Sequence, residues 1–169
     1  MTKRYKKTDK AELFLNVSDD SEFLSKYSPV DKPLVSSEVA EFIENSARGF
    51  HPKASVKLTI IGSCVDETEK PVYTSAIKNY FSLKHAEVMR DIARKTIISL
   101  IFALIGIIAL TVMIVYENHF GNAVWTECID IFAWVFLWEA VDQYFIERNG
   151  LLMKMRRLES FVNMEVEYI

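Results

Sequence analysis

Cysteine, proline and glycine are all scarce in this chain of 169 residues, which contains two, four and five of them. Two cysteines cannot supply the framework of bridges that a small secreted domain needs, and neither Cys64 nor Cys128 lies at metal-binding spacing. So little glycine and proline excludes a collagen-like fibre, and a hydrophobic fraction of 50% excludes a disordered chain. We therefore expect a folded chain whose two thiols are ordinary and buried or partly buried.

Sequence signatures of enzymes are missing as well. His51, His85 and His119 lie far apart, and none has a ligand partner at the spacing of a metal site. The sequence contains no glycine-rich phosphate-binding loop, no nucleophile elbow and no zinc-protease motif. We therefore expect no enzyme activity, no catalytic residues, no bound metal and no cofactor.

Positive charge is scarce in the second part of the chain. Residues 1–95 contain 16 Lys and Arg against 14 Asp and Glu, whereas residues 96–169 contain 4 against 9. Nearly all of the apolar excess also lies in the second part. This asymmetry indicates a soluble portion joined to a membrane portion.

The first ten residues, MTKRYKKTDK, are strongly basic, with a net charge of +4 from five Lys or Arg and one Asp. No apolar segment follows them, so we expect no signal peptide. This segment could contact anionic lipid or nucleic acid, or it could form a solvated tail, and both interpretations stay open.

Charge is absent altogether from residues 96–116, which are TIISLIFALIGIIALTVMIVY. As a helix they would cover about 30 Å, the thickness of the hydrocarbon core of a bilayer. Residues 123–146, AVWTECIDIFAWVFLWEAVDQYFI, form a second and less pure apolar run with Trp125 and Tyr144 near its ends. The connection ENHFGN contains one glycine and no Lys or Arg. We therefore expect residues 96–146 to form a transmembrane helical hairpin.

Positive charge flanks both ends of this hairpin. Arg94 and Lys95 precede the first apolar run and Arg148 follows the second, so these three residues are candidate cations at the inner membrane interface. Because the connecting loop has no positive charge, the positive-inside rule places both termini in the cytoplasm. The lipid bilayer is thus an expected partner.

The other residues have the periodicity of strands and helices. Residues 11–17 and 55–62 alternate like strands, and the last residues of the chain alternate in the same way. Because a lone strand is unstable, we expect the C-terminal strand to return to the same sheet, and pairing with another subunit is the alternative. Asp66 and Glu69 match a capping box, and the helix that follows has no breaker before the hairpin loop. A further helix is expected from Ser36 or Ser37 to about Arg48.

These patterns predict an α+β membrane protein: a transmembrane α-helical hairpin with a small cytoplasmic α/β module that is closed by N- and C-terminal strands. The expected parts are residues 1–95 as the module with its basic tail, 96–146 as the hairpin, and 147–169 as a basic extension and strand. Within the hairpin, Ser99, Ala103 and Gly106 form a face of small residues, for which packing inside the same hairpin is the favoured interpretation.

Four carboxylates lie within the second apolar run and occupy about half of the helix circumference. They are Glu127, Asp130, Glu139 and Asp142. An oligomer could gather them around an axis as candidate pore-facing acids, because rings of Asp or Glu favour cations. The alternative is structural: Glu127 and Asp130 would lie at the outer interface, and Asp142 would lie within reach of Arg94 or Lys95. Glu139, which is closest to the midpoint of the run, is the hardest of the four to explain structurally.

Three stretches carry a resemblance to known proteins: SVKLTIIG, DETEKPVYTSAIKNYF and IFAWVFLWEAVDQYFIERN. Together with their order along residues 36–158, they resemble a group of uncharacterised bacterial two-span membrane proteins. The layout is also similar to small two-span membrane effectors of antiphage systems, including the Hailong type that is partnered with a nucleotidyltransferase. The resemblance implies a bacterial inner membrane as the location and assigns no catalytic residue.

The leading hypothesis is a homo-oligomeric membrane effector or cation-favouring channel that is gated through its cytoplasmic part. A cytosolic protein, a nucleotide or an oligonucleotide would be the ligand. The alternative is a membrane-anchored binding or adaptor module, in which the hairpin is only an anchor and the α/β module recruits a cytosolic partner.

Overall fold

The computed structural model describes residues 10–169, so the expectation for the basic N-terminal segment concerns residues that lie outside it, apart from Lys10. The chain forms two compact units. Within the described residues, the first unit comprises residues 10–87 together with Lys154–Ile169, and the second unit is Val88–Met153.

The helices and strands follow one another in an α+β order. In chain order they are β1 (Ala11–Asn16), α1 (Ser37–Ser46) with a 3₁₀ turn (Ala47–Gly49), β2 (Val56–Ile61), α2 (Lys70–Phe120), α3 (Ala123–Val141), a π-helical segment (Asp142–Glu147), α4 (Arg148–Val162) and β3 (Glu165–Tyr168). The expected mixture of helices and strands is confirmed, including the strand at the C-terminus.

The three strands form one parallel sheet in the order β1-β2-β3. Leu58 in the central strand is in register with Leu13 on one side and Val166 on the other. The C-terminal strand therefore returns to the sheet of its own chain, as expected. This arrangement brings the last residues of the chain beside residues that lie about a hundred positions earlier.

The core of the first unit lies on one face of this sheet. Alternate residues of β1 are buried, and α1 contacts the same strand. Phe81 in α2 packs against Phe161 in α4 with ring centroids 4.8 Å apart, and both rings are fully buried. The apolar face of the sheet and the apolar sides of the helices pack together here, because each would otherwise be exposed to water.

The opposite face of the sheet is largely exposed, although Thr59 at its centre is buried. Phe14 and Ile61 are on this face, and each leaves much of its side chain open to solvent. Lys57 in the central strand forms an ion pair of 2.8 Å with Glu167 in β3, and this hydrogen-bonded pair raises the pKa of Lys57. Parallel sheets are normally covered on both faces, so an exposed face is unusual for this topology.

Helix α2 begins where the capping box was expected. The backbone N–H of Asp66 donates to Oε2 of Glu69 at 3.0 Å, which satisfies one amide that the helix itself cannot pair. From Lys70 the helix continues for 51 residues to Phe120, and Gly121 ends it with a φ of 61°. The expected continuity of this helix into the first apolar run is confirmed.

Within residues 10–169, α2 alone is both long and apolar enough to cross a membrane, with a mean hydropathy of 3.0 over its best window. The expectation of two spans is thus borne out for α2 only. Helix α3 has 19 residues, among them Glu127, Asp130 and Glu139, and it gives way to the π-helical segment at Asp142. Because α3 has three carboxylates in only 19 residues, it is too charged to count as a membrane span by composition alone.

Candidate functional site: the helical hairpin of the second unit

The second unit is a hairpin of α2 and α3 with a tight turn. Gly121 has a positive φ, which only glycine adopts without strain, and the side chain of Asn122 accepts a hydrogen bond of 3.2 Å from the backbone N–H of Val124. This is an N-cap interaction that starts α3 directly after the turn. The expected hairpin connection is therefore built as a glycine turn followed by a capped helix.

Small residues form the contact between the two helices. A Cβ atom added to Gly106 would lie 2.7 Å from the side chain of Leu137, so the helices approach closely at this point. Ala133 and Ala140 of α3 are buried, and the buried Ser99 hydroxyl donates to the Ala140 carbonyl at 2.8 Å. The favoured interpretation of the small-residue face, packing within the same hairpin, is confirmed for Ser99 and Gly106.

The contact face of α3 fixes the direction of the four predicted acids. If Ala133 is set to zero on the helical wheel, Leu137 and Ala140 lie at about 40° and −20°. The acids then lie at these approximate angles: Asp130 60°, Glu127 120°, Asp142 180° and Glu139 −120°. Three of the four are therefore more than 90° from the contact with α2, and Asp130 borders that contact. None of the four forms an ion pair with a described cation.

Glu127 and Asp130 lie together at the loop end of the hairpin. They line an open depression of about 470 Å³ that also contains Glu117 of α2 and Thr126. Glu127 is exposed and Asp130 is partly exposed. Three carboxylates around one open depression make the surface at this end of the hairpin strongly negative.

Glu139 and Asp142 lie near the opposite end of α3. The side-chain amide of Gln143 donates to Oε1 of Glu139 at 2.9 Å, one helical turn further along. The other amide atom of Gln143, Oε1, is buried without a hydrogen-bond partner in the described chain. Gln143 is not among the predicted site residues, although its four-residue spacing from Glu139 is the usual signal for such a pair.

A section without charge separates the two acidic levels. Its residues, IFAWVFLW, span about 14 Å between Asp130 and Glu139 at the helical rise. Ile131, Trp134 and Trp138 are each about two-thirds exposed on the outer side of the hairpin. The side of α3 that points away from α2 is therefore acidic at both ends and strongly apolar between them.

The predicted inner-interface cations lie at the same end of the hairpin as Glu139. Lys95 forms an ion pair with Glu147, which joins α2 to the π-helical segment. The guanidinium group of Arg148 lies 4.7 Å from the centre of the Tyr144 ring, and Arg94 is exposed. The suggested pairing of Asp142 with Arg94 or Lys95 is therefore wrong for Lys95, whose partner is Glu147.

The two thiols differ in environment. Cys64, in the first unit, donates a hydrogen bond of 3.3 Å to the Val17 carbonyl and is partly buried, as expected. Cys128 is exposed on α3, so the expectation of burial is wrong for this residue. The reason is that a two-helix hairpin can bury only one narrow stripe of each helix.

Comparisons with models of protein families, with characterised proteins and with solved structures found no significant match to this chain. The resemblance to two-span bacterial membrane proteins therefore remains a prediction. Across residues 10–169, no cluster of His, Cys, Asp and Glu has the arrangement of a metal site.

Proposed function

We propose that this protein is a homo-oligomeric effector of a bacterial inner membrane that acts as a cation-favouring channel gated through its first unit. The observation that carries the proposal is the acidic side of α3. Three of the four predicted acids, among them Asp142 at the start of the π-helical segment, point away from α2, and none is paired with a described cation. Ionisable groups in a membrane segment usually face protein or water, so these carboxylates require a neighbour or a water-filled path.

Both helices of the hairpin cross the membrane in this proposal. Residues 123–146 would extend about 36 Å as a continuous helix, enough to span the hydrocarbon core. Although its carboxylates make α3 a poor span by itself, close packing against the uncharged residues 96–116 of α2 supplies a helix partner. Arg94, Lys95 and Arg148 then lie on the cytoplasmic side, together with both termini.

The ion path would combine two features of α3. In an oligomer, the acids at each end form two rings that attract cations, and the apolar section between them forms a hydrophobic constriction. Such a constriction conducts only when it is wetted, so a small rotation of the hairpins is enough to open or close it. Two helices cannot enclose a pore, and the channel therefore requires several copies of the chain.

The first unit offers a place for the gating signal. Its sheet has an exposed face with Phe14 and Ile61, where a neighbouring copy or a cytosolic protein could bind. The lining of a separate depression of about 490 Å³ includes two cations, Lys53 and Arg156, and one carboxylate, Glu159. Its net positive charge suits an anionic ligand such as a nucleotide or an oligonucleotide. Because α2 is continuous from Lys70 to Phe120, a movement of its first turns passes along one helix into the apolar run.

Ion flux through liposomes that contain the purified full-length protein tests the channel. We expect cation flux from the wild type, and a clear loss of preference for cations over anions in Glu139→Gln. Glu41→Gln in α1 removes the same charge from an exposed position of the first unit and should leave selectivity unchanged. A defined oligomer of the wild type that conducts no ions would contradict the proposal, as would unchanged selectivity in Glu139→Gln.

The role as an effector in antiphage defence follows from the resemblance in layout, and it has its own test. Cells that express the protein with its neighbouring genes should reduce phage plating, and Glu139→Gln should abolish that reduction if ion flow is the effector activity. If the phages plate equally well on cells with and without the wild-type protein, the protein does not defend against the phages tested.

The alternative function is a membrane-anchored adaptor. The exposed face of the parallel sheet favours it, because that face is available to a partner whether or not the hairpin conducts. Replacement of residues 96–146 by an unrelated two-span hairpin distinguishes the two functions. An adaptor should still reduce phage plating after this replacement, whereas a channel should lose that activity.

A further inference from the structure

We infer that the charged end of the hairpin binds the phosphate of an anionic lipid headgroup, with Arg148 as the main ligand and Arg94 as the second cation. This inference rests on the proposed placement of the hairpin in a membrane. It adds a ligand class to residues whose expected role was only to mark the inner interface.

The first observation is an unsatisfied donor. The Nε atom of Arg148 is buried and has no hydrogen-bond partner in the described chain, although its guanidinium group is held 4.7 Å from the Tyr144 ring centre. A buried N–H group of a charged side chain is costly when it is unpaired. The fold therefore holds a guanidinium group on an aromatic ring without giving it an acceptor, while Arg148 as a whole stays partly exposed.

The second observation is that the carboxylate nearest to Arg148 in sequence pairs with a different cation. Glu147 precedes Arg148 in sequence, but it pairs with Lys95. Among residues 10–169, neither Arg94 nor Arg148 forms an ion pair. The Lys95–Glu147 pair also joins α2 to the π-helical segment and so holds the two arginines at the same end of the hairpin, with their charge uncompensated.

The position and the donor geometry select a phosphodiester as the ligand. A guanidinium group presents parallel N–H donors that match two oxygens of one phosphate, which a single ammonium group cannot do. Arg94 directly precedes the apolar run of α2, and Arg148 directly follows the π-helical segment, at the depth where headgroups lie. Tyr144 is the kind of aromatic residue that lies at that level, and here it forms the platform for Arg148.

Native mass spectrometry of the full-length protein in detergent tests the site, with phosphatidylglycerol and phosphatidylcholine of equal chain length added in turn. We expect the wild type to retain the anionic lipid preferentially. Arg148→Gln should retain it about tenfold less, the effect of losing one charge-assisted hydrogen bond. Arg148→Lys, which keeps the charge without the planar donors, should fall between them. Arg48→Gln removes the same charge from the exposed 3₁₀ turn of the first unit and should match the wild type.

Three results would overturn the inference. One is equal retention of phosphatidylglycerol by Arg148→Gln and the wild type. Another is stabilisation by inorganic phosphate in zwitterionic micelles that equals the effect of the anionic lipid, since the source would then be a soluble anion. The third is a wild type that resists carbonate extraction from membranes but shows no headgroup preference. A wild type that carbonate extracts completely would instead contradict the proposed membrane function.

Discussion

The two units place their large apolar side chains in opposite ways. In the first unit large apolar side chains such as Phe81 and Phe161 are fully buried. In the second unit small residues such as Gly106 and Ala133 are buried, whereas Trp138 is 70% exposed. The first unit is thus organised by removal of apolar surface from water, and the second by close approach of backbones with apolar side chains turned outwards. The second pattern is the one expected for helices in lipid.

Truncation of one leucine in each unit gives the largest expected contrast. Leu58→Ala should lower the free energy of unfolding by about 2–5 kcal/mol, because Leu58 is fully buried in the central strand. Leu104→Ala removes the same atoms from the exposed surface of α2, and we expect little change in detergent. Thermal unfolding of both full-length variants measures the difference. Similar losses of stability would show that Leu104 is packed against protein, which would break the comparison.

Alanine in place of glycine tests the close approach within the hairpin. Gly106→Ala places a methyl group against Leu137 and should cost about 1–3 kcal/mol of stability through overpacking. Gly150→Ala is the matched control in α4, where nothing lies within 4 Å of the added atom, so it should be neutral or stabilise by about 0.5–1 kcal/mol. Unfolding in detergent provides the readout. If Gly106→Ala proves as stable as Gly150→Ala, the helices do not approach as closely as described.

Removal of the Ser99 hydroxyl also tests the contact between the two helices of the hairpin, and the expected loss of stability is smaller. Ser99→Ala breaks the hydrogen bond to the Ala140 carbonyl and should cost about 0.6–2 kcal/mol, the range measured for bonds between membrane helices. Thr111→Val is the control, because the Thr111 hydroxyl bonds only to the Ile107 carbonyl of its own helix. The order of the two unfolding temperatures is the test. A greater loss in the control would mean that Ser99 does not hold the helices together.

Alkaline pH should weaken the first unit, and this effect is the smallest of the four. Burial, with the hydrogen bond to Asp20, raises the pKa of Tyr73 above its ordinary 10.0. Burial alone would lower the pKa of Lys84, but the hydrogen bond and charge of Glu44 outweigh it and raise that pKa above 10.5. Both groups keep their protons to a higher pH in the folded state than in the unfolded state. Their contribution to the free energy of unfolding is therefore complete below pH 10 and declines as the pH rises through the folded-state pKa values.

Thermal unfolding at a series of pH values from 8 to 11 measures this decline in stability, which Tyr73→Phe should reduce. A variant that declines as steeply as the wild type would exclude Tyr73 as a cause.

Much of the fold could be predicted because the signals are local. The alternation of residues 11–17 and 55–62, the capping box at Asp66 and the absence of breakers before Gly121 each specify one element through neighbouring residues. The predicted second span was not found. The apolar content of residues 123–146 predicts a crossing, but Glu127, Asp130 and Glu139 fall within one helix of 19 residues that ends in a π-helical segment.

The candidate site was predictable in its residue types and not in its pairings. The carboxylates of α3 and the three cations stand out in the sequence because charge is rare in apolar runs. The partner of Lys95 could not be predicted, because Glu147 and Asp142 lie within two turns of each other and only the packing of α2 on α3 selects between them. The platform that Tyr144 forms for Arg148 depends on the same local geometry.

The sequence by itself determined that this chain has a folded α/β part and an apolar helical part, since periodicity and hydropathy are properties of consecutive residues. It also determined which residues carry unusual charge within the apolar runs. The tertiary structure decided that the last strand lies beside the second in a parallel sheet, that Ser99 and Gly106 are used inside the hairpin, and that most of the acids of α3 point away from it. These features depend on which faces of distant segments meet, and the free energy of that choice comes from packing across the chain rather than from any one segment.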